Sequence, residues 1–258
     1  MDSSPQNQRP DSRQPDFSLV IPCYNEQEVV RNSVERVLEV FNRKNVNIEL
    51  VLVDNGSTDR TSAVMDELIR EGLPVRKEIV AVNQGYGYGA LRGLQVCRGR
   101  LVGCVPADLQ VDAEDIFKVY NIAATAASKL LVKVRRRFRL DGFKRKVVSI
   151  FFNFGTNILF GGLGSIDING NPKVFPREYL ELMKLESHDW FIDAEILIKA
   201  KRLGLPVLEF NVLGQMREGG ESNVHATTCF EFMGNLLRWR FGLPRQQNAP
   251  KLASSQQV

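Results

Sequence analysis

The sequence predicts an α/β fold with a mostly parallel central sheet covered by helices. Short apolar runs alternate with helical patterns over the first half of the chain, and this alternation is typical of strand–helix–strand units. Acidic side chains follow three of the apolar runs, at the strand ends where open α/β sheets bind ligands. The 258 residues, 43% hydrophobic and 25% charged, are enough to bury a sizeable core.

Five strands and four helices are predicted in order along this part of the chain. The strands lie near Phe17–Ile21, Ile48–Val53, Glu78–Val82, Leu101–Val105 and Leu130–Val134. The helices between them lie near Glu26–Asn42, Thr58–Glu71, Gly89–Val96 and Ala113–Ala127. The composition then becomes more basic and more aromatic, which marks a second functional region.

The two ends of the chain are predicted to be disordered tails, over residues 1–16 and 247–258, because they are polar. The first residues contain no apolar signal-peptide core, and no run reaches the roughly 18 apolar residues of a membrane span. The cysteines form no CxxC pair, which favours buried free thiols in a reducing, cytoplasmic compartment. They are Cys23, Cys97, Cys104 and Cys229.

The fourth predicted strand ends in a carboxylate, Asp108, and a carboxamide, Gln110. In extended backbone these two side chains point to the same side, because side chains alternate with period two. Two hard oxygen donors suit Mg²⁺ or Mn²⁺ with positions left open for substrate phosphates. An Asp that caps the helix starting near Asp112 explains the acid equally well.

The first predicted strand ends in a polar turn with a structural interpretation. Pro22 is expected to end strand pairing, and Asn25 to cap the following helix. Glu26 is expected in the first turn of that helix, where a negative charge is favoured. The turn and the helix start explain Asn25 but do not by themselves require Tyr24 or Glu26.

The second predicted strand ends in a similar turn. Asn55-Gly56 is expected to make the turn and Ser57 or Thr58 to cap the next helix, which leaves Asp54 facing a cleft. An acceptor there suits the N–H edge of a nucleobase. A polar strand end taken alone is more often a turn than a binding site. Acidic residues at the ends of three consecutive strands, however, favour a binding site.

Two further segments have alternative interpretations. Gly85, Gly87 and Gly89 allow close packing or phosphate binding at a helix start. Residues 129–146 contain nine basic residues against one acid, and a Phe-rich helical pattern then follows over 143–159. That pattern fits a core helix or an interfacial membrane element, whereas no nucleic-acid-binding motif accompanies the charge.

The ordered series IPCYNE, VDNGSTD, NQGYGYGA and PADLQ resembles the family 2 glycosyltransferases over roughly residues 17–225. Within that family it is most similar to the polyprenyl-phosphate sugar transferases, the group that includes dolichyl-phosphate mannose synthase. The resemblance implies a GT-A fold, which is a nucleotide-sugar-binding α/β sandwich. It also implies an enzyme that uses a divalent metal and inverts the anomeric centre of the donor sugar. The resemblance further implies a nucleotide and metal half over 17–128 and an acceptor half over 129–225. Beyond that match, the basic and aromatic residues near the end of the chain predict an amphipathic C-terminal helix over 226–246.

The resemblance also implies roles for single residues. Contacts to the nucleotide sugar are implied for Pro22, Tyr24, Glu26, Val53, Asp54, Ala107, Asp108, Lys173 and Arg217. Asp108 and Gln110 are implied to hold Mg²⁺ or Mn²⁺, Asp167 lies beside the reaction centre, and Arg217 lies on a loop that closes over the phosphates. Arg135 and Arg139 are predicted to bind the acceptor phosphate, because Arg suits oxyanions. Asp108, Asp167 and Arg217 are thus the predicted catalytic residues.

The chain departs from the family pattern at three positions. Pro106 replaces the first acid of the Asp-x-Asp motif, Asn55 replaces the second acid of Asp-Asp, and Asn223 replaces a basic residue. An Asp193–Glu195 acid pair is expected only at a helix start.

We therefore predict an inverting transferase that moves a sugar from a UDP- or GDP-sugar to a polyprenyl or dolichyl phosphate. It is expected to bind peripherally to the anionic cytoplasmic membrane face, and a membrane subunit is a candidate partner. Two alternatives stay open. The acceptor is a soluble saccharide, small molecule or protein, or the protein binds nucleotide sugars without catalysis, as the loss of an acid at Pro106 would allow.

Overall fold

The computed structural model describes residues 14–109, 111–137 and 153–213, together with Leu236, Trp239 and Phe241. Gln110, Arg139, Arg217 and Cys229 lie outside the described residues, as do most of the predicted tails, residues 138–152 of the basic and Phe-rich segment, and most of the predicted helix over 226–246.

Seven strands form one sheet in the described part of the chain. They are β1 (Phe17–Cys23), β2 (Ile48–Asn55), β3 (Val75–Val80), β4 (Leu101–Cys104), β5 (Leu131–Arg137), β6 (Lys173–Pro176) and β7 (Val207–Leu213). The strand order is β3-β2-β1-β4-β6-β5-β7. All neighbours are parallel except β6, which is antiparallel to both β4 and β5, so the predicted mostly parallel sheet is confirmed.

Helices cover both faces of this sheet. They are α1 (Val30–Arg43), α2 (Thr61–Arg70), α3 (Tyr86–Val96), α4 (Ala113–Thr125), α5 (153–159), α6 (Arg177–Met183) and α7 (Ile192–Arg202). One buried cluster packs α1, α2 and α4 against one face, and a second packs α3, α6 and α7 against the other. Within the described residues no helix combines the length and the apolarity needed to cross a membrane.

Several predicted boundaries were wrong. The third strand begins at Val75 rather than Glu78, because its pairing with Leu50 of β2 sets its start. Helix α3 begins at Tyr86, three residues before the predicted start. Pro22 does not end strand pairing: β1 stays paired with β2 as far as Cys23, although its pairing with β4 stops at Val20.

The predicted free thiols are confirmed for the three cysteines in the described part of the chain. Cys23, Cys97 and Cys104 are buried and unbridged. Burial raises the pKa of the Cys104 thiol to about 12, so it stays protonated at neutral pH.

The glycines of α3 serve packing. A Cβ on Gly93 would lie 2.9 Å from Val53 Cγ2 and closer still to Val20 Cγ1. A Cβ on Gly87 would lie 2.6 Å from the Ser187 carbonyl oxygen, and the Tyr88 N–H already donates to the His188 carbonyl at 3.0 Å. Of the two predicted alternatives, close packing therefore describes this segment.

Gly93→Ala is expected to lower the free energy of unfolding by about 1–3 kcal/mol, because the added methyl must displace core valines. The urea midpoint of the full chain measures this. Gly155→Ala on α5 is the control, because a Cβ there meets no atom within 4 Å. Equal midpoints for the two variants would show that α3 tolerates the methyl group.

Candidate active site

Three strand ends meet at one edge of the sheet. Strands β2, β1 and β4 are neighbours, and their carboxyl ends lead directly into the segments that carry Asp54, Tyr24 and Asp108. The ladder pairs Cys23 with Asp54. The sheet therefore places the three predicted nucleotide and metal segments side by side.

The loops after β1 and β2 are joined by side-chain hydrogen bonds. The Asn25 Oδ1 accepts the Thr58 N–H at 2.8 Å, and the Asn25 N–H donates to Ser57 Oγ at 3.2 Å. The Glu26 N–H donates to Thr61 Oγ1 at 2.8 Å. These bonds hold the two loops against each other at the carboxyl ends of β1 and β2.

The helix caps predicted in these loops were wrong. Helix α1 begins at Val30, and neither α1 nor α2 has a side-chain hydrogen bond at its N-cap. Asn25 instead adopts φ 56°, a conformation that Asn tolerates better than most residues. Its side chain serves the contact between the loops rather than the helix.

Asp54 lies at the carboxyl end of β2, next to these joined loops. The residue is 4% exposed, and its Oδ1 accepts the Ser57 N–H at 2.9 Å. No other hydrogen bond to this carboxylate occurs within the described residues. Tyr24, directly after the neighbouring strand β1, is 40% exposed, so an acceptor and an aromatic surface lie at the ends of two adjacent strands.

The structure explains why Asn55 differs from the family pattern. Its Nδ2 donates to the Gly85 carbonyl at 3.0 Å and to Asn83 Oδ1 at 3.3 Å. An aspartate would face two acceptors here without a donor. The amide therefore ties the end of β2 to the turn that precedes α3.

Asp108 lies in a turn rather than in extended backbone. The Leu109 N–H donates to the Pro106 carbonyl at 3.3 Å, and Leu109 is held at φ 37° with its side chain in the core. The argument that alternation puts Asp108 and Gln110 on one side was therefore wrong. Strained backbone of this kind clusters at functional sites.

The alternative role of Asp108 as a helix cap is also wrong. Asp112 is the N-cap of α4, and its carboxylate accepts the Glu114 N–H at 2.9 Å. The Ala107 carbonyl is fixed separately by Ser33 Oγ at 2.6 Å. The half-buried Asp108 is thus set in an anchored turn directly after β4.

Asp167 forms an ion pair that the sequence did not predict. Its carboxylate accepts from Arg136 Nε at 3.1 Å, from Arg136 Nη2 at 3.3 Å and from the Arg136 backbone N–H at 3.2 Å. Burial alone would raise the pKa of this carboxyl, but the adjacent guanidinium lowers it to about 2. Asp167 is therefore an anion and a weak base.

Lys173 is buried rather than open to a ligand. It is 1% exposed and donates to Asp193 Oδ1 at 2.6 Å, to the Gly170 carbonyl at 3.1 Å and to Asn171 Oδ1 at 3.2 Å. All three ammonium donors have protein acceptors. A phosphate contact by Lys173 stays a prediction and would require this ammonium to leave its partners.

The acids at the start of α7 have specific partners, so the helix-start explanation was incomplete. Asp193 neutralises Lys173. Glu195 is fully buried and accepts the Glu186 and Ser187 N–H groups at 2.9 and 2.8 Å, and it pairs with Lys199 at 2.7 Å.

Arg135 differs from its neighbours on β5. It is partly exposed, and although its backbone belongs to the β5–β7 ladder, no side-chain hydrogen bond or ion pair joins its guanidinium to another described residue. The next residue, Arg136, is occupied by Asp167. Of the two arginines predicted to bind the acceptor phosphate, Arg135 is thus available, while Arg139 lies outside the described residues.

Comparison with known proteins identifies the class. A profile of Glycosyl transferase family 2 matches residues 18–182, well over half of the chain. The protein therefore belongs to glycosyltransferase family 2, and the predicted family is confirmed.

Several curated relatives have a polyprenyl phosphate in their names. A dodecaprenyl-phosphate galacturonate synthase from Rhizobium johnstonii is 32% identical over 237 residues, covering 88% of this chain and 67% of that protein. A dolichyl-phosphate beta-glucosyltransferase from Trichomonas vaginalis is 28% identical, covering 81% of this chain and 68% of that protein. The chain spans about two thirds of the length of these relatives.

Solved structures confirm the fold. Glucosyl-3-phosphoglycerate synthase from Mycobacterium tuberculosis, crystallised with Mn²⁺, UDP and glucosyl-3-phosphoglycerate, superposes with a TM-score of 0.70 at 19% identity. The match covers 90% of this chain and 82% of that one. The predicted GT-A-like architecture is confirmed.

Asp167→Asn is expected to lower the free energy of unfolding by about 2 kcal/mol at pH 7. The carboxyl pKa falls from 3.8 to about 2 on folding. The contribution of the ionised Asp167 carboxylate to the free energy of unfolding is therefore complete above about pH 4 and is lost as pH falls through 2. Urea unfolding at pH 7, 4 and 3 measures the narrowing difference between parent and variant. Asp115→Asn, which removes a surface pair with Lys118, should cost less than about 1 kcal/mol; a difference for Asp167→Asn that stays constant to pH 3 would contradict the ion pair.

Proposed function

We propose that the protein is an inverting glycosyltransferase that moves a sugar from a UDP- or GDP-sugar to a polyprenyl or dolichyl phosphate. The observation that carries this proposal is its 32% identity to a dodecaprenyl-phosphate galacturonate synthase across 88% of the chain. The adjoining ends of β1, β2 and β4, with their polar side chains, support it independently.

Nucleoside binding is assigned to the cleft formed by the loops after β1 and β2. Tyr24 offers an exposed ring, and Asp54 offers an acceptor for a base N–H group. Pro22, Glu26 and Val53 shape the same cleft, and Ala107 lies in the neighbouring turn that faces the sugar diphosphate.

The metal site is assigned to the turn after β4. Asp108 offers a hard carboxylate oxygen, which suits Mg²⁺ or Mn²⁺, and Gln110 is the second predicted ligand. Within the described residues no group of three or more His, Cys, Asp or Glu side chains is placed to hold a metal ion. This fits an ion that takes most of its ligands from substrate phosphates and water. When bound, such an ion offsets charge on the leaving nucleotide diphosphate.

Residues of the second half are assigned to the acceptor. A polyprenyl phosphate is already an anion, so its oxygen attacks the anomeric carbon without a strong base as the nucleotide diphosphate leaves. Asp167, with a pKa of about 2, does not serve as that base; its role is to orient Arg136. Arg135 and Arg139 bind the acceptor phosphate, and Arg217 contacts the diphosphate of the donor.

Exposed apolar side chains support peripheral binding at the membrane. Phe154 and Ile158 lie one turn apart on α5 and are 64% and 62% exposed, and Phe241 is 67% exposed. A core helix would bury these residues, whereas an interfacial helix presents them to lipid. Apart from the buried Lys133 and the paired Arg136, the basic residues over 129–146 add attraction to anionic headgroups, about 1 kcal/mol for each cation near the surface.

The test is transfer of radiolabelled sugar from UDP-glucose, UDP-galacturonate or GDP-mannose to undecaprenyl phosphate in anionic vesicles containing Mn²⁺. Labelled lipid in the organic phase is the expected result. Label that appears only in water-soluble products would favour the soluble-acceptor alternative. Donor binding without transfer or hydrolysis would favour a binding protein without catalysis.

Asp108→Asn is expected to lower transfer at least about a hundredfold and to abolish the Mn²⁺-dependent gain in thermal stability with UDP, because one ligand charge is lost at nearly constant volume. Asp115→Asn, nearby on α4, is the matched control and should behave as the parent. Parent-like transfer by Asp108→Asn at saturating donor would remove Asp108 from the metal site.

Arg135→Gln is expected to raise the KM for undecaprenyl phosphate about tenfold or more, because a hydrogen bond to a charged group contributes about 1.5–3 kcal/mol. UDP affinity should stay unchanged. Arg70→Gln, at the end of α2, loses the same charge and serves as the control. A KM equal to that of the control would place the acceptor phosphate elsewhere.

A further inference from the structure

The segment over residues 165–171 is held by one carboxylate of the edge strand β7. Glu209 accepts the Ser165 hydroxyl at 2.7 Å, the Ile166 N–H at 2.8 Å and the Asp167 N–H at 3.1 Å. Three consecutive residues therefore depend on a single side chain. We name this segment, residues 165–171, the acceptor loop.

A buried lysine completes this anchor. Lys133 of β5 is 0% exposed and donates to Glu209 Oε1 at 2.8 Å, to the Val134 carbonyl at 3.0 Å and to the Asp167 carbonyl. Its three donors are all used. The Lys133 ammonium thus joins Glu209 to the backbone of the acceptor loop.

Strand β5 holds the loop at a further point. Arg136 binds the Asp167 carboxylate and also donates to the Asn169 carbonyl at 3.0 Å. The loop packs so closely on β5 that a Cβ on Gly170 would collide with the Val134 carbonyl. The loop is therefore fixed to β5 and β7 at the sheet edge that also carries Arg135.

A purely structural role would not require charge here. Burying an ion pair costs about as much as its Coulomb attraction returns, and an apolar pair of similar volume is often equally stable. An apolar pair, however, supplies no hydrogen bonds to Ser165, Ile166 or Asp167. Unlike an apolar pair, the Lys133–Glu209 ion pair therefore fixes the position of the loop.

We infer that Glu209 and Lys133 are positioning residues for the acceptor step. They hold the acceptor loop, and through Asp167 and Arg136 they set the end of β5 from which Arg135 reaches the acceptor phosphate. This inference rests on the proposed function for its kinetic consequence, whereas the order of the loop is measured without activity.

The experiment compares the parent with the double variant Lys133→Met/Glu209→Met, which removes both charges and leaves none unpaired. Hydrogen–deuterium exchange should become at least tenfold faster at the Ile166 and Asp167 amides. The KM for undecaprenyl phosphate should rise about tenfold, while the UDP affinity stays close to that of the parent. The melting temperature should fall, because the Ile166 and Asp167 N–H groups lose their acceptor. Lys118→Met/Asp115→Met removes a surface pair on α4 and should change neither exchange at the loop nor the KM.

Two results would overturn the inference. Unchanged exchange at Ile166 and Asp167 would show that the pair does not hold the loop. Faster exchange with an unchanged KM for the acceptor would show that the loop does not position it. If the parent itself does not label undecaprenyl phosphate, the proposed function fails, and the exchange result still decides whether the pair holds the loop.

Ser165→Ala keeps the experiment decisive if the double variant does not fold. It removes one hydrogen bond to Glu209 and leaves the ion pair intact. We expect amide exchange at Ile166 and Asp167 and the KM for the acceptor to increase, but less than in the double variant. The UDP affinity should stay like that of the parent. Parent-like values for both would contradict the inference.

Discussion

Strand β6 is the constraint on which the rest of the sheet depends. Its four residues pair with β4 on one side, and two of them, Lys173 and Val174, pair with β5 on the other. Strand β6 thus joins the parallel unit β3-β2-β1-β4 to the parallel pair β5-β7. One of those residues is a buried lysine, Lys173, opposite a second buried lysine, Lys133. Like charges directly opposite destabilise a sheet, so Asp193 and Glu209 are needed to neutralise them.

Different kinds of interaction therefore hold the two halves of the site together. Around β1 and β2, neutral side chains such as Asn25 and Asn55 tie loops together and leave Asp54 and Tyr24 at the cleft. In the second half, buried ion pairs replace that neutral network. Removing one member of such a pair is strongly destabilising, because it leaves the other charge buried without its partner.

Local patterns explain what was predictable. The apolar runs of β1, β2 and β4 and the periodic faces of α1 and α4 have strong local signals, and their positions were predicted to within a few residues. Strand β6, helix α6 and strand β7 were missed, whereas the start of helix α7 was predicted at Asp193. Strand β6 has four residues, ends in proline and is antiparallel, so neither its length nor the strand–helix alternation indicates it. Cap positions failed because Asn25 forms contacts across loops rather than along its own helix.

The sequence alone determined the family, the α/β class and the strand ends that carry Tyr24, Asp54 and Asp108, because these depend on short motifs and on local periodicity. Tertiary structure decided which charges are available. Arg135 and Arg136 are adjacent and identical in type, yet Asp167, 31 residues away along the chain from Arg136, occupies one and leaves the other. Lys173 was likewise predicted to face a phosphate and is buried on Asp193. Such pairings join residues distant in sequence, and no local pattern encodes them.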